Sequence, residues 1–335
     1  MERTTIYLET GSLDPHYNLA FEEYVLCKRR EGDYLLLWQN DNTVVVGQNQ
    51  NTEEEINRDF VEAHGVHVVR RSTGGGAVYH DLGNLNYSFI TDAESAEEMA
   101  ARRFTEPIVR ALRKLGLQAE ASGRNDILVE GRKVSGTARR LVNGRLLHHG
   151  TLLFDTDPAM VAGALRVAPE KLSSKGVRSV HSRIGNIRAF LREDMELPAF
   201  WAFLKGELTR DGLTNGALTP GELAEVEALK QVKYDTWEWN FGRSPEYNAA
   251  GRYRGNAGGL EVRASIRNGN IAEIAFYGDF LSLRPLEELT ESLRGCPFRR
   301  DAVSEALDHF RLEELFGEIP RENILETIFS VKPAC

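Results

Sequence analysis

The run Arg70-Arg71-Ser72-Thr73-Gly74-Gly75-Gly76-Ala77-Val78-Tyr79-His80-Asp81 sets two guanidinium groups and three glycines behind Val66 to Arg71, a stretch that reads as a strand. Consecutive glycines permit positive φ and let another body approach the backbone closely. Their N–H groups can converge on an anion, and the arginines can add charge-assisted hydrogen bonds. A strand connection needs tight turning but neither three glycines nor two arginines, so the run reads as an anion cradle. The chain has no P-loop pattern, no His-Glu-x-x-His and no Gly-x-Ser-x-Gly, so the cradle must work in some other way.

Asn125-Asp126 followed by Gly131-Arg132-Lys133-Val134-Ser135-Gly136 is a second constellation. A lysine that starts a strand after a tight turn can project from the sheet as a point charge and hold a carboxylate against a phosphate. The usual fate of such a lysine is the surface of a hairpin tip. Asp126 suits a metal ion or a ribose, or simply a turn beside Asn125. A third segment, Leu147 to Leu152, contains His148 and His149. Neighbouring strand residues face opposite ways, so His149 shares a face with Leu147 and Thr151, and His148 with Gly150. Taken singly, each reads as a hydrogen-bonded core histidine.

These residues need elements to position them. Thr5 to Leu8 reads as a strand and Asp14-Pro15 as a helix start, with Leu19, Ala20, Tyr24 and Cys27 on one face. Tyr34 to Trp38 and Thr43 to Gly47 read as a hairpin turned at Gln39 to Asn42. Thr52 opens a helix to about His64 by a capping-box pattern. A long helix is expected over 94–115. Two hairpins follow, turned at Glu130-Gly131 and Asn143-Gly144. Helices are expected near 158–165, 187–193, 198–211 and 220–230. Beyond a boundary segment at 231–250, a hairpin over 258–277 and three helices form a smaller unit. The expected fold is α/β (α+β): mixed sheets flanked by helices over 1–245, and a small α/β domain over 250–335.

Composition bounds the function. The 335 residues exceed one comfortable core, and 41% hydrophobic with 27% charged residues is ordinary globular usage. A net charge of −9 argues against bulk nucleic acid as the partner, because counterion release needs a broad basic footprint. Arg166, Lys171, Lys175, Arg178, Arg183 and Arg188 nonetheless make a local basic stretch, suited to a small anion or to a solvated face. Cys27, Cys296 and Cys335 have no metal-ligand spacing and form no disulfide framework. With no signal-peptide pattern and no apolar run of membrane-spanning length, a cytoplasmic location is expected, without a membrane partner.

In this order the three segments resemble the lipoate–protein ligase family and, more distantly, the biotin–protein ligases. Asp14-Pro15 with Asn18-Leu19-Ala20, Gln48-Asn49 after Gly47, Ser179-Val180 with Ser182-Arg183, and Trp237-Glu238-Trp239-Asn240-Phe241-Gly242 extend the match over nearly the whole chain. The resemblance implies ATP-dependent ligation of lipoate, and of octanoate, to a lysine of lipoyl carrier domains through an acyl-adenylate, with Mg²⁺ assisting. It implies a nucleotide site of Arg71, Gly76, Ala77, Val78, Tyr79 and Lys133, with Asp126 on the metal or nucleotide side. It implies a lipoyl site of Trp38, Arg70, Ser72, Gly75, His80, Lys133 and His149, with Lys133 touching both carboxylate and phosphate as the catalytic residue. The basic stretch would cover the adenylate, and the segment 242–252 would be a hinge. The implied partners are the E2 subunits of 2-oxoacid dehydrogenases and the glycine cleavage H protein.

Three rivals differ in chemistry. A transferase of the same fold would carry the acyl group on an activated cysteine, and none of the three cysteines has that context. A lipoate-binding protein without catalysis would not need Lys133 beside an intact glycine loop. A biotin ligase would carry Gly-Arg-Gly in the loop instead of Gly-Gly-Gly.

Overall fold

The computed structural model describes residues 5–93, 95, 99–123, 125–166, 184–208, 212–242, 249–267, 269–330 and 332–333. Most of the basic stretch, from Lys171 to Arg183, lies outside the described residues, as do positions 243–248 of the expected hinge and Cys335. The chain forms two compact units: Met1–Val45, Glu55–Val69 and Val78–Thr236 make the first, and Val46–Glu54, Arg70–Ala77 and Trp237–Cys335 the second.

The first unit is built on an eight-stranded mixed sheet. Its strands, in chain order, are β1 (Thr5–Leu8), β2 (Asp33–Trp38), β6 (Asn84–Asp92), β7 (Ala119–Ser122), β8 (Asp126–Val129), β9 (Arg132–Val142), β10 (Arg145–Leu153) and β11 (Leu213–Asn215). The order across the sheet is β11-β1-β2-β6-β10-β9-β8-β7. β1 runs parallel to β2 and β11, and β6 to β9 pair antiparallel through β10. The remaining strands, β3 (Thr43–Val46), β4 (His67–Arg70) and β5 (Val78–His80), form a separate three-stranded sheet in the order β4-β3-β5. The expected hairpin between Tyr34–Trp38 and Thr43–Gly47 is therefore a change of sheet. Asn18 Nδ2 holds the connection through the Gln39 carbonyl (2.7 Å) and Asn40 Oδ1 (3.0 Å), so the strands diverge instead of folding back.

Helix α1 (Pro15–Lys28) starts where Pro15 predicts, with the Asp14 carboxylate accepting the His16 N–H at 2.9 Å. Its burial is not confined to one face: every residue from Asn18 to Leu26 is buried, including Glu22 and Glu23. Two adjacent carboxylates are tolerable there because each has partners. Glu23 takes Lys233, Arg140 and the Tyr234 hydroxyl. The helix expected from Thr52 to His64 is broken into α2 (Thr52–Glu55) and α3 (Arg58–Ala63). Between them Ile56 bridges to Leu165, and Asn57 donates to the Ala164 carbonyl at 2.9 Å, which takes the backbone out of the helical ladder. Helix α4 (Ala101–Lys114) begins later than expected.

The two predicted hairpin turns hold, with positive φ at Glu130, Gly131, Asn143 and Gly144 as a two-residue turn requires. Helix α5 (Pro158–Ala164) matches its prediction, 187–190 is only a 3₁₀ turn, and α6 (Leu197–Leu208) follows. Helix α7 (Pro220–Leu229) carries the full Thr219–Glu222 capping box. Ile108, Phe154 and Phe200 pack with Leu35, Leu85 and Leu152 into the core under the large sheet.

In the second unit, α8 (Trp237–Asn240) precedes β12 (Ala249–Gly255), β13 (Gly258–Arg267) and β14 (Asn270–Gly278). With β15 (Lys332–Pro333) these make a four-stranded sheet in the order β14-β13-β12-β15. Val262, Phe276 and Phe280 pack against Leu289, Val303, Phe316 and Ile324 of the following helices. The expected tail hairpin is present as β13 and β14. β12, which begins at the end of the expected boundary segment, and the short helix Leu312–Phe316 were not foreseen.

Candidate active site

In the first unit the chemistry gathers on one face of the large sheet. Because side chains alternate along a strand, Trp38 of β2, Asn84, Asn86 and Ser88 of β6, and His149 and Thr151 of β10 share that face. Gly136 and Ala138 continue it on β9, and Asp126 on β8. A β-bulge after Ile127 sets Lys133 opposite Leu128. Its side chain then lies across Gly136, with Cε and Nζ both 3.2 Å from where a Cβ on that glycine would sit. Lys133 Nζ is 2.7 Å from Asp126 Oδ1. The hairpin-tip lysine is thus folded over the sheet, about one-third exposed and paired.

A buried chain of hydrogen bonds orders the same face. Trp38 Nε1 donates to Ser88 Oγ at 2.9 Å, and Ser88 Oγ donates to Glu22 Oε1 at 2.5 Å. His149 Nδ1 lies 2.9 and 3.0 Å from the two Glu22 oxygens. Since the carboxylate only accepts, Nδ1 carries the proton, and in the neutral ring Nε2 is the acceptor. His80 Nδ1 sits 3.1 Å from Asn40 Nδ2, and its ring meets Trp38 edge-on at 6.5 Å. His148 points into the opposite, apolar face, stacked on Phe104 at 4.9 Å. Burial, followed by Arg139 and His149, pushes its pKa well below the ordinary value. Tyr79 pairs with Val44 in the small sheet and donates to Asn42 Oδ1 at 2.9 Å. Burial and then Asp81, Asp157 and Asp41 push its hydroxyl up to about 12.

The glycine run, in the second unit, is stapled by its own arginines. Arg71 donates to Thr73 Oγ1 (3.0 Å) and to the carbonyls of Gly74 (2.7 Å) and Gly76 (2.9 Å). With the Gly76 carbonyl turned toward that guanidinium, the trans peptide aims the Ala77 N–H the other way. Arg70 is 1% exposed and donates to the carbonyls of Gly47, Gln48, Gln50 and Trp239 and to Thr52 Oγ1. Ser72 is buried. A Cβ on Gly47 would lie 2.0 Å from the Gly75 carbonyl oxygen, and one on Gly74 would lie 2.7 Å from Ser282 Oγ. Gly75 has φ +92°. At Gly76 the nearest contact of an added Cβ, among the described residues, is Asp279 Cβ at 3.9 Å, so packing within the chain does not demand that glycine.

Sequence reasoning missed Glu22, Ser88, Asn40, Asn84, Asn86 and Thr151. A carboxylate at position 22, beside Phe21 in a helix otherwise rich in apolar residues, was the available signal for Glu22. Cys27 and Cys296 do not suit acyl transfer: burial pushes both thiols up, away from the thiolate. Among the described residues no group of three or more His, Cys, Asp or Glu could hold a metal ion, and no helix is long and apolar enough to cross a membrane.

Two family models match the chain. The family model of the lipoyl protein ligase A/B catalytic domain matches residues 14–209, and that of the bacterial lipoate protein ligase C-terminus matches 244–328. The chain is 40% identical over 323 residues to lipoate-protein ligase LplJ of Bacillus subtilis (strain 168), covering 94% of this chain and 97% of that protein. It resembles the bi-partite lipoate protein ligase of Thermoplasma acidophilum, solved in a study of that ligase and its E2 lipoyl domain, with TM-score 0.65 and 30% identity over 73% of this chain and 98% of the other. A lipoate-protein ligase A bound with ATP gives TM-score 0.62 and 29% identity, over 72% of this chain and 99% of that one. Motifs, sheet architecture and relatives therefore agree, and the chain belongs to the lipoate–protein ligase family, enzymes that ligate lipoate to protein.

Proposed function

We propose that the enzyme activates lipoate, and octanoate, with ATP and passes the acyl group to a lysine of a lipoyl carrier domain, releasing pyrophosphate and then AMP. The observation that carries this reading is Lys133 laid across Gly136 on the polar sheet face, where a cation can bind a carboxylate and a phosphate together. The acyl carboxylate attacks the α-phosphorus and pyrophosphate leaves. Positive and donor groups offset the charge that develops on the phosphorus oxygens, so positioning and electrostatics supply the catalysis. The mixed anhydride stays bound until the carrier lysine attacks its carbonyl.

In this reading Arg71, Gly76, Ala77, Val78, Tyr79 and Lys133 bind the nucleotide, and Gly76 leaves room for it. Trp38, Arg70, Ser72, Gly75, His80, Lys133 and His149 serve the acyl moiety, Arg70 by holding the backbone around it. Asp126 fits Mg²⁺ in one respect: such ions use one or two carboxylates plus substrate phosphates, and Asp126 has a second oxygen besides the one on Lys133. Bound there with ATP, the ion would neutralise pyrophosphate charge. The ATP-bound relative supports the nucleotide, and the Thermoplasma ligase studied with its E2 lipoyl domain supports the carrier class. E2 subunits and the glycine cleavage H protein are the proposed carriers, residues 1–245 the catalytic domain, 250–335 the accessory domain, and the cytoplasm the location.

The test mixes the protein with ATP, Mg²⁺, lipoate and an apo lipoyl domain and follows the carrier's mass. Lipoylation that needs ATP and is lost in Lys133→Ala is expected. Ligation without ATP, or undiminished in that variant, overturns the reading.

A further inference from the structure

Buried side-chain amides are nearly always satisfied, because an unpaired donor or acceptor in the interior costs its full desolvation. Asn84 and Asn86 break that rule together. Asn84 Nδ2 donates to Asn86 Oδ1 at 3.0 Å, and this bond leaves Asn84 Oδ1 and Asn86 Nδ2 with no partner among the described residues. The two side chains are 0% and 2% exposed. Interchanging O and N on both keeps the bond and leaves the same inventory, one NH₂ donor and one carbonyl acceptor side by side.

The pair lies on the functional face of the sheet. Asn86 stands directly opposite Trp38 on β2 and Thr151 on β10. Thr151 Oγ1 accepts the Gly136 N–H at 3.3 Å, and Lys133 lies across Gly136. Asn86, Thr151, Gly136 and Lys133 thus form a row over neighbouring strands, roughly 10 Å from β6 to β9 at the usual strand spacing.

What ligand needs one donor and one acceptor here? A phosphate offers acceptors only, and an alkyl chain offers neither. A carbonyl oxygen beside an ammonium offers both, and those are the groups that meet when an amide forms. We infer that the Asn84–Asn86 pair receives the two partners of amide formation, its NH₂ donating to the acyl carbonyl oxygen and its carbonyl accepting from the incoming carrier lysine. The inference rests on the acyl-adenylate reading above.

The lysine ammonium first gives one proton to water. Its nitrogen lone pair then forms the C–N bond while the carbonyl pair moves onto oxygen, facing the amide NH₂. On collapse the C–O bond to phosphorus breaks, AMP leaves with that electron pair, and the nitrogen's surplus proton goes to water. The neutral amides move no proton; they orient the nucleophile and stabilise the oxyanion.

Single-turnover kinetics separate the two half-reactions. Lipoate, ATP and Mg²⁺ are first converted to enzyme-bound lipoyl-AMP without carrier, followed by pyrophosphate release, and apo lipoyl domain is then added. Asn84→Ala and Asn86→Ala should lose more in transfer than in adenylate formation, and their circular dichroism reports folding. Transfer should slow about 100-fold, the usual cost of one oxyanion donor. Asn86→Ser, smaller but polar, should fall between. The double alanine variant should melt no lower than the parent, since it removes unsatisfied groups. Equal loss in both half-reactions, as a ribose contact would produce, overturns the inference, as does unimpaired transfer or a lowered melting temperature. Failure of the unsubstituted enzyme to form lipoyl-AMP would instead strike the adenylate reading itself, and the inference with it.

Discussion

Lys133 Nζ rests 2.7 Å from Asp126 Oδ1 across the β8–β9 hairpin, with both side chains about one-third exposed. Solvent screening makes such a pair worth little to stability, of the order of 0–1 kcal/mol. Lys133→Met should therefore melt within about 2 °C of the parent while ligation falls at least about 1,000-fold, beyond the effect of one neutral donor. Asp126→Asn keeps the lysine and should raise the KM for Mg-ATP about tenfold. Thermal melts and initial rates on the same preparations check both expectations.

Gly47 and Gly76 should respond oppositely to the same substitution. Gly47→Ala drives a methyl group against the Gly75 carbonyl and should cost about 3 kcal/mol, at the upper end for overpacking. Gly76→Ala meets no such neighbour, so its melting temperature should hold while ATP binding weakens about tenfold or more. Denaturant melts beside calorimetric ATP titration compare the two. Unchanged ATP affinity in Gly76→Ala would remove the nucleotide from this glycine.

Glu22 accepts from both Ser88 and His149, and through Ser88 it steadies Trp38. Its removal leaves two buried donors unpaired, at about 1–3 kcal/mol each. Glu22→Ala should raise the KM for lipoate about tenfold and change the KM for ATP by less than about twofold. A lipoate KM equal to the parent's would make the carboxylate a mere core group.

His148 gives acid sensitivity a definite sign. Its folded pKa lies below the unfolded value near 6.5, so below that pH the unfolded chain binds the extra proton. The histidine then costs nothing above about pH 6.5 and destabilises progressively as the pH drops under it, by at most about 1.4 kcal/mol per unit. His148→Leu should flatten the loss of melting temperature between pH 6.5 and 5. An identical slope in parent and variant would put the acid sensitivity elsewhere.

The readable parts of the fold were those fixed by local chemistry. Asp14-Pro15, Glu130-Gly131 and Asn143-Gly144 each specify a backbone conformation within a few residues. The divergence at Gln39–Asn42 was unreadable because Asn18, some twenty residues upstream, decides it. The break at Ile56 was equally hidden, since its cause is pairing with Ala164–Arg166. In the site, the glycine run and Lys133 stood out because their residue types are costly without a purpose. Asn84 and Asn86 passed as ordinary strand polar residues: that both are buried, bonded to each other and still unsatisfied becomes visible only in three dimensions.

The glycine run has a place in time as well as in space. Gly75 donates to the Phe280 carbonyl, Gly74 packs on Ser282, and Arg70 donates to Trp239 and Asn240. During synthesis these residues leave the ribosome roughly 170–200 residues later, a delay of about 10–40 s at ordinary elongation rates. Until then the loop can meet only its earlier partners, such as the Gly47 and Gln50 carbonyls and Thr52, so its final form follows most of the large sheet. Its closure is a high-contact-order event, the kind that folds slowly. A nascent chain halted before Phe280 would carry every residue of the loop and not yet its shape.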